Sequence, residues 1–415
     1  MQYTLKAPEL LKTTINLPAS KSISNRALII SAMTGQTVPP RNLSDCDDTE
    51  VIVRAMRDMP YEIDIMAAGT AMRFMTALLS ATKGDHILTG TERMKHRPIK
   101  VLVDALRYLG AKIDYAEEEG FPPLHIRGRK LEGGALEIPG DVSSQYISAL
   151  LMIGPMLEKG LELTMTGNII SRSYIDLTLH TMHDFGAKIY WTDINTIKAE
   201  PSGYQQRDYL IENDWSSASY WYEMMAIHNH PGDELKLEGL ADASRQGDSV
   251  VRYLYAMLGV KTTFATKEQG VPTTVTLKKT VKRVARLEYD FVNQPDLAQT
   301  FVVTCCMMNI PFHFTGLSTL KIKETDRITA LKNEMRKLGF VIEDRNDSEL
   351  LWDGERCEAS MEPIDTYEDH RMALAFAPAA FVYEGLRINN PQVVTKSYPH
   401  YWEDLRKAGF EIEET

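Results

Sequence analysis

Six stretches of the chain share one pattern, a short run of small polar residues followed by a longer run that is apolar on almost every side. They are SKSISNRALIISAM (20–33), AAGTAMRFMTALLSA (67–81), GDVSSQYISALLMIG (140–154), NDWSSASYWYEMMA (213–226), QPDLAQTFVVTCCM (294–307) and YEDHRMALAFAPAA (367–380). The Ser, Asp and Gly residues at their starts suit N-cap positions, where a side chain satisfies a free amide of the first turn. Apolar bodies without a polar face predict helices buried on most sides. Between them runs a second motif: an alternating β-like segment ending in Gly, a loop, an amphipathic helix, and a closing Gly followed by another β-like run. Copies occupy 87–115, 163–191, 235–264, 312–343 and 386–413, with a shorter one at 41–65. The closing glycines Gly110, Gly186, Gly259, Gly339 and Gly409 lie 70 to 80 residues apart, so the chain is an internal repeat.

Six repeats of β-α-β-α type predict an α/β protein of two domains with three units each, the buried helices inside and the sheets around them. The division falls near residue 212, giving domains of 19–211 and of 1–18 plus 212–415. The second is discontinuous because the β-like run at 3–17 finds no partner among the first three units. The competing architecture is a doubly wound sheet. Neither a G-x-G-x-x-G turn after a strand nor a Walker A sequence is present to support it.

Composition narrows the function. With 46 Lys plus Arg against 57 Asp plus Glu the formal charge is −11, which argues against nucleic acid or an anionic membrane as partner. The four cysteines, Cys46, Cys305, Cys306 and Cys357, show neither disulfide nor zinc spacing, and the first residues lack a signal-peptide pattern, so the expectation is a cytoplasmic protein. The ten histidines form no metal motif, and no metal is expected.

An acidic protein can still concentrate cations at one place. Lys21, Ser22 and Arg26 stand at a loop-to-helix junction where a cation, a hydroxyl and free amides can meet a phosphate. A capped helix with solvated charges is the plainer reading of the same residues. The pattern recurs at other helix starts: Gly69, Thr70 and Arg73; Ser143, Ser144 and Gln145; His370 and Arg371. The loops after the Gly-ended strands add Arg93, Lys95 and Arg97, then Lys323, Glu324 and Arg327, and finally Lys396. A Lys-Glu-Thr-Asp-Arg run is ordinarily a solvated face paired within itself. Asp296, after Pro295, reads first as an N-cap and second as a general base amid cations. Glu324 is either half of a surface pair or a proton donor, and Cys305 and Cys306 belong to the core.

At these residues the chain resembles the 5-enolpyruvylshikimate-3-phosphate synthases, within the enolpyruvyl transferase family. The motifs are SKSISNRA, AGTAMR, RMKHRPI, DVSSQY, SRSYID, KETDRI, EDHRMA and TKSYP, spread over nearly the whole length. The resemblance implies a two-domain inside-out α/β barrel, each domain of three βαβαββ units with buried helices, with the active site in the interdomain cleft. It implies transfer of the enolpyruvyl group of phosphoenolpyruvate to the 5-hydroxyl of shikimate 3-phosphate, with release of phosphate and no cofactor, by a monomer. The 19–211 domain is then the shikimate 3-phosphate side and the other the phosphoenolpyruvate side. Carried over by motif, shikimate 3-phosphate contacts fall on Lys21, Ser22, Arg26, Ser143, Ser144, Gln145, Ser171, Tyr174, Asp296, Thr319 and Lys323. Phosphoenolpyruvate contacts fall on Lys21, Gly69, Arg97, Gln145, Arg327, Arg371 and Lys396. Asp296 takes the hydroxyl proton, Glu324 or Lys21 protonates the methylene carbon, and Lys21 or His370 assists loss of phosphate.

Three positions depart from the family pattern: Ala67 in place of Asn, Phe74 where Pro is common, and Thr319 in place of Asn. Segment 41–65 is also shorter than its usual counterpart. The nearest rival is the sister transferase acting on a UDP-linked amino sugar, which carries Lys-Asn in place of Lys21-Ser22 and a loop Cys; residues 84–130 contain no Cys. A non-catalytic phosphometabolite-binding protein would keep the cations but has no need of Asp296 and Glu324 together.

Overall fold

The computed structural model describes all residues except 36, 37, 229, 267 and 281–283. It divides into a unit of Ala19–Ile211 and a unit of Met1–Pro18 with Glu212–Thr415, each with its own apolar core. Among the described residues no helix is long and apolar enough to cross a membrane.

The six apolar stretches form the core helices: α1 (Lys21–Met33), α2 (Gly69–Ala81) and α3 (Ser144–Ile153) in one unit, α4 (Trp215–Ile227), α5 (Ala298–Met307) and α6 (His370–Phe376) in the other. Every residue of α5 and of α6 is buried, as expected of a helix with no polar face. Within its unit α2 packs on α1 and α3, and α5 packs on α4 and α6. Four starts are capped by side chains: Ser20 by accepting from the Ile23 amide, Ser143 from Gln145, Asp214 from Ser217 and Asp369 from Arg371. Asp296 is not a cap. Pro295–Leu297 forms a 3-10 turn ahead of α5, so the aspartate lies inside that turn and its side chain goes elsewhere.

Each four-stranded sheet follows one recipe: one strand pairs parallel with its predecessor, and a hairpin then adds two antiparallel neighbours. In the 19–211 unit Glu62–Asp64, Gly84–Thr89, Leu124–Gly128 and Lys112–Tyr115 lie in that order, as do Gly134–Pro139, Leu161–Thr166, Thr196–Ala199 and Ile189–Asp193. The abbreviated 41–65 copy supplies the helix Asp47–Asp58 and the short strand Glu62–Asp64 of the first sheet, and its start makes an isolated parallel bridge, Arg41 with Leu210. Among its described residues the other unit has three sheets, and the N-terminal segment completes two of them. Lys12–Asn16 is the parallel partner of Glu234–Ala241, while Gln2–Lys6 is the middle strand between Leu386–Asn389 and Glu411–Glu414.

One core group is unlike its surroundings. Glu223, on α4, is 0% exposed, and neither carboxyl oxygen has a hydrogen-bond partner among the described residues. The nearby Thr304 hydroxyl donates instead to the Thr300 carbonyl. Burial pushes the Glu223 carboxyl well above its ordinary value of 4.5, because leaving water penalises the charged form. A carboxyl whose folded value is raised stabilises fully below its unfolded value and loses that contribution as pH rises, at about 1.4 kcal/mol per pH unit. Glu223→Gln is therefore expected to match the parent's Tm near pH 4 and exceed it by several degrees at pH 8. A Tm difference that stays constant with pH would overturn this account.

Candidate active site

The densest charge cluster lies in the 212–415 unit, at the starts of α5, α6 and the helix Arg327–Lys337. Arg327, 1% exposed, donates through Nε and Nη2 to the two oxygens of Asp369 at 2.6 and 3.2 Å. Its Nη1 reaches Asp296 Oδ1 at 2.9 Å, and Nη2 also reaches Glu324 Oε2 at 2.8 Å. Arg371 Nη2 takes the second Asp296 oxygen at 3.1 Å, and its Nη1 donates to the buried Tyr220 hydroxyl at 3.2 Å. Lys323 stands 3.4 Å from Asp296 and Lys396 3.2 Å from Glu324. Four cations thus meet three carboxylates, a local excess of one positive charge. The KETDRI run is paired, as its composition suggested, but its Arg327 is buried and its partners come from 31 and 42 residues away as well as from within.

Burial pushes the Asp296 carboxyl up, but the charges of Arg371, Lys323 and Arg327 outweigh it and hold the group well below the usual carboxylate range. Nearby Asp248 behaves oppositely. Burial first, and the Asp296 charge second, raise its carboxyl to about 6, while the Ser216 hydroxyl donates to one of its oxygens. Sequence reading missed both Asp248 and Asp369. Asp369 was open to discovery, since an Asp immediately before the apolar run of α6 is an N-cap signal; Asp248 follows no comparable rule. His370, the first residue of α6, is buried with Nδ1 3.6 Å from Asp369 Oδ1, beyond hydrogen-bond range. The hydroxyl oxygen of Thr319 is buried without a hydrogen-bond partner among the described residues.

In the 19–211 unit the helix starts bring a second group together. Lys21 opens α1 and pairs with the buried Asp48 at 3.3 Å. Ser22 offers its carbonyl to Arg26 at 2.9 Å. Arg26 itself is 3% exposed and also donates to Thr178, Ser148 and the Tyr174 carbonyl, so four of its five N–H groups are engaged among the described residues. Burial brings its pKa down to about 10. Phe74, the unusual residue after AGTAMR, supplies an aromatic face 5.4 Å from the Arg26 guanidinium; Ala67 is exposed. Gln145 donates to Thr70 at 3.1 Å, Ser143 caps α3, and Ser144 is buried. Ser171 holds a left-handed backbone with φ 55°, directly before the helix that carries Tyr174.

The loop cations separate. Lys95 pairs with Glu92 and Glu117 on the surface, and Arg93 is exposed. Only Arg97 lies against a helix start: a Cβ placed on Gly69 would stand 2.6 Å from its Nη1, so that approach requires glycine. Arg73, grouped by its spacing with Gly69 and Thr70 as anion-binding, instead turns inward and donates to the Gly69 and Pro98 carbonyls. A first-turn cation one turn past the cap points back along the helix into this core.

A family model described as EPSP synthase (3-phosphoshikimate 1-carboxyvinyltransferase) matches residues 5–65 and 58–405. A Bacteroides fragilis protein named 3-phosphoshikimate 1-carboxyvinyltransferase is 58% identical over 413 residues, 99% of each chain. A Vibrio cholerae protein of the same name is 34% identical over 428 aligned positions, 96% of this chain and 97% of that one. In fold the chain is similar to EPSP synthase from Acinetobacter baumannii, with a TM-score of 0.80, 22% identity and full coverage of both chains.

Proposed function

Because the chain belongs to the EPSP synthase family, we propose that it transfers the enolpyruvyl group of phosphoenolpyruvate to the 5-hydroxyl of shikimate 3-phosphate. The products are 5-enolpyruvylshikimate 3-phosphate and inorganic phosphate, on the route to aromatic amino acids. The observation that carries the reading is the full-length identity of 58% to a protein named for this reaction. The network of four cations and three carboxylates, built around the buried Arg327, Arg371 and Asp369, fits the chemistry.

Both substrates are polyanions, so cations must offset their mutual repulsion before any bond forms. In this reading Arg97, Arg327, Arg371 and Lys396 grip phosphoenolpyruvate, the guanidiniums by paired N–H donors. Lys21, Ser22, Arg26, Ser143, Ser144, Gln145, Ser171, Tyr174, Thr319 and Lys323 serve shikimate 3-phosphate, and Gly69 admits Arg97. The 5-hydroxyl oxygen adds to C2 of the enol as C3 takes a proton, giving a tetrahedral phosphate ketal. Loss of a C3 proton and of phosphate then yields the enol ether.

Asp296 accepts the hydroxyl proton. With its cations in place it is a weak base, so its strength depends on occupancy: substrate oxygens that draw Lys323, Arg327 and Arg371 toward themselves return proton affinity to Asp296. Glu324, between Arg327 and Lys396, or Lys21 delivers the proton to C3, and Lys21 or His370 assists the leaving phosphate. We also place the protein in the cytoplasm as a monomer; its four free cysteines, three of them buried, suit a reducing compartment. The test is phosphate release with both substrates present and with each omitted in turn. Release only with both supports the transfer; none with both would favour a binding protein, and release with a UDP-linked amino sugar as acceptor would favour the sister reaction.

A further inference from the structure

We infer that Arg73 and Tyr146 are positioning residues that aim Arg97 at its ligand by gripping one backbone oxygen, the carbonyl of Pro98. The Tyr146 hydroxyl, on α3, donates to that oxygen at 2.5 Å. Arg73 Nη2, on α2, donates to it at 3.4 Å, and Arg73 Nη1 donates to the Gly69 carbonyl at 3.1 Å. One guanidinium therefore ties together the two places that meet at the ligand contact, the start of α2 and the loop carrying Arg97. Its Cζ lies 5.7 Å from the centre of the Tyr146 ring, so each of the two residues holds the other. Arg73 is 4% exposed and Tyr146 7%; both are placed to act on the loop rather than on the ligand.

The choice of Pro98 matters. Holding that carbonyl fixes the Pro98–Ile99 peptide, and because proline fixes its own φ, only one soft dihedral, ψ of Pro98, separates it from the peptide that joins Pro98 to Arg97. The loop is pinned on both sides of that residue: the Arg97 amide donates to the Met94 carbonyl at 3.0 Å, and the Ile99 amide to the Gly120 carbonyl at 2.9 Å. With the backbone fixed at three points, the Arg97 side chain keeps its close approach to Gly69. A guanidinium that must bind a carboxylate or phosphate bidentately tolerates little misplacement.

The inference rests on the reading that Arg97 holds phosphoenolpyruvate, and the experiment separates the two. Steady-state kinetics and Tm are measured for Arg97→Ala, Tyr146→Phe, Arg73→Lys, and the double variant Tyr146→Phe with Arg97→Ala. Arg97→Ala should raise KM for phosphoenolpyruvate at least about tenfold; an unchanged KM there removes the reading of Arg97 and the inference with it. Tyr146→Phe and Arg73→Lys should raise the same KM by roughly three- to tenfold, with KM for shikimate 3-phosphate altered less than twofold. In the Arg97→Ala background, Tyr146→Phe should add no further rise, because a residue acting through Arg97 has nothing left to act on. An equal factor in both backgrounds, or a lowered Tm with KM unchanged, overturns the positioning role while leaving the reading of Arg97 intact.

Discussion

Asp296→Ala is expected to lower kcat at least about a hundredfold, the scale of a lost general base, without weakening the binding of either substrate. The two halves of that expectation come from the same geometry. The carboxylate is shared among Lys323, Arg327 and Arg371, which makes it the group through which the substrates' negative charge is felt. Removing it leaves those cations with one anion fewer to satisfy, so phosphate and carboxylate oxygens should be held as well as before or more tightly. A purely electrostatic or structural role predicts the reverse pairing, a raised KM with kcat nearly retained. Equilibrium binding of each substrate together with single-turnover rates distinguishes the cases, and a kcat within threefold of the parent removes Asp296 as the base.

Arg327→Ala should cost about 3–5 kcal/mol of stability, the range seen when one partner of a buried ion pair is deleted. Its guanidinium is the common partner of Asp369, Asp296 and Glu324; burial opposes its charge, yet those three carboxylates raise its pKa overall. Without it the three carboxylates lose their common partner, and the fully buried Asp369 side chain, which also caps α6, loses its main counterion. Urea unfolding followed by tryptophan fluorescence checks this, Trp215 and Trp221 lying in the same core. Arg327→Lys should recover only part of the loss, because a single ammonium cannot reproduce the fork that holds both Asp369 oxygens. A loss below about 1 kcal/mol, the value of an exposed pair, would mean that the network contributes nothing beyond surface charge.

What could be read from the sequence, and what could not, follows from the distance over which each feature is determined. The six core helices were legible because burial on all sides leaves a local mark, an apolar run without a polar face. The strands that follow the amphipathic helices were legible from another local mark: the left-handed closing glycines, such as Gly110 and Gly186 with φ of 100° and 82°, punctuate each helix-to-strand turn. Side-chain direction was not. Arg73 has the same sequence credentials as Arg97, yet packing turns it inward, to the Gly69 and Pro98 carbonyls. Asp296 looked like a helix cap because Pro-Asp commonly is one, but a 3-10 turn intervened. The pairing of Arg327 with Asp296 and Asp369, 31 and 42 residues distant, is a product of tertiary packing and has no local signature. Asp248 was invisible on the same grounds, a lone acidic residue whose meaning comes from being buried near another.

The insertion of the first strands into the 212–415 unit has a consequence for how the protein is made. The Ala19–Ile211 unit contains all its own strands and can close while the chain is still emerging from the ribosome, since domains fold largely as units during synthesis. Gln2–Lys6 is synthesised before any of this, yet its neighbours Leu386–Asn389 and Glu411–Glu414 arrive almost four hundred residues later. For most of translation that strand carries bare backbone donors and acceptors on both edges, and its alternation is that of a segment able to pair with another nascent chain. Among the described strands, Gln2–Lys6 therefore waits longest for its neighbours, and chaperone dependence of this protein should be governed by residues 1–18 rather than by the charge cluster around Arg327.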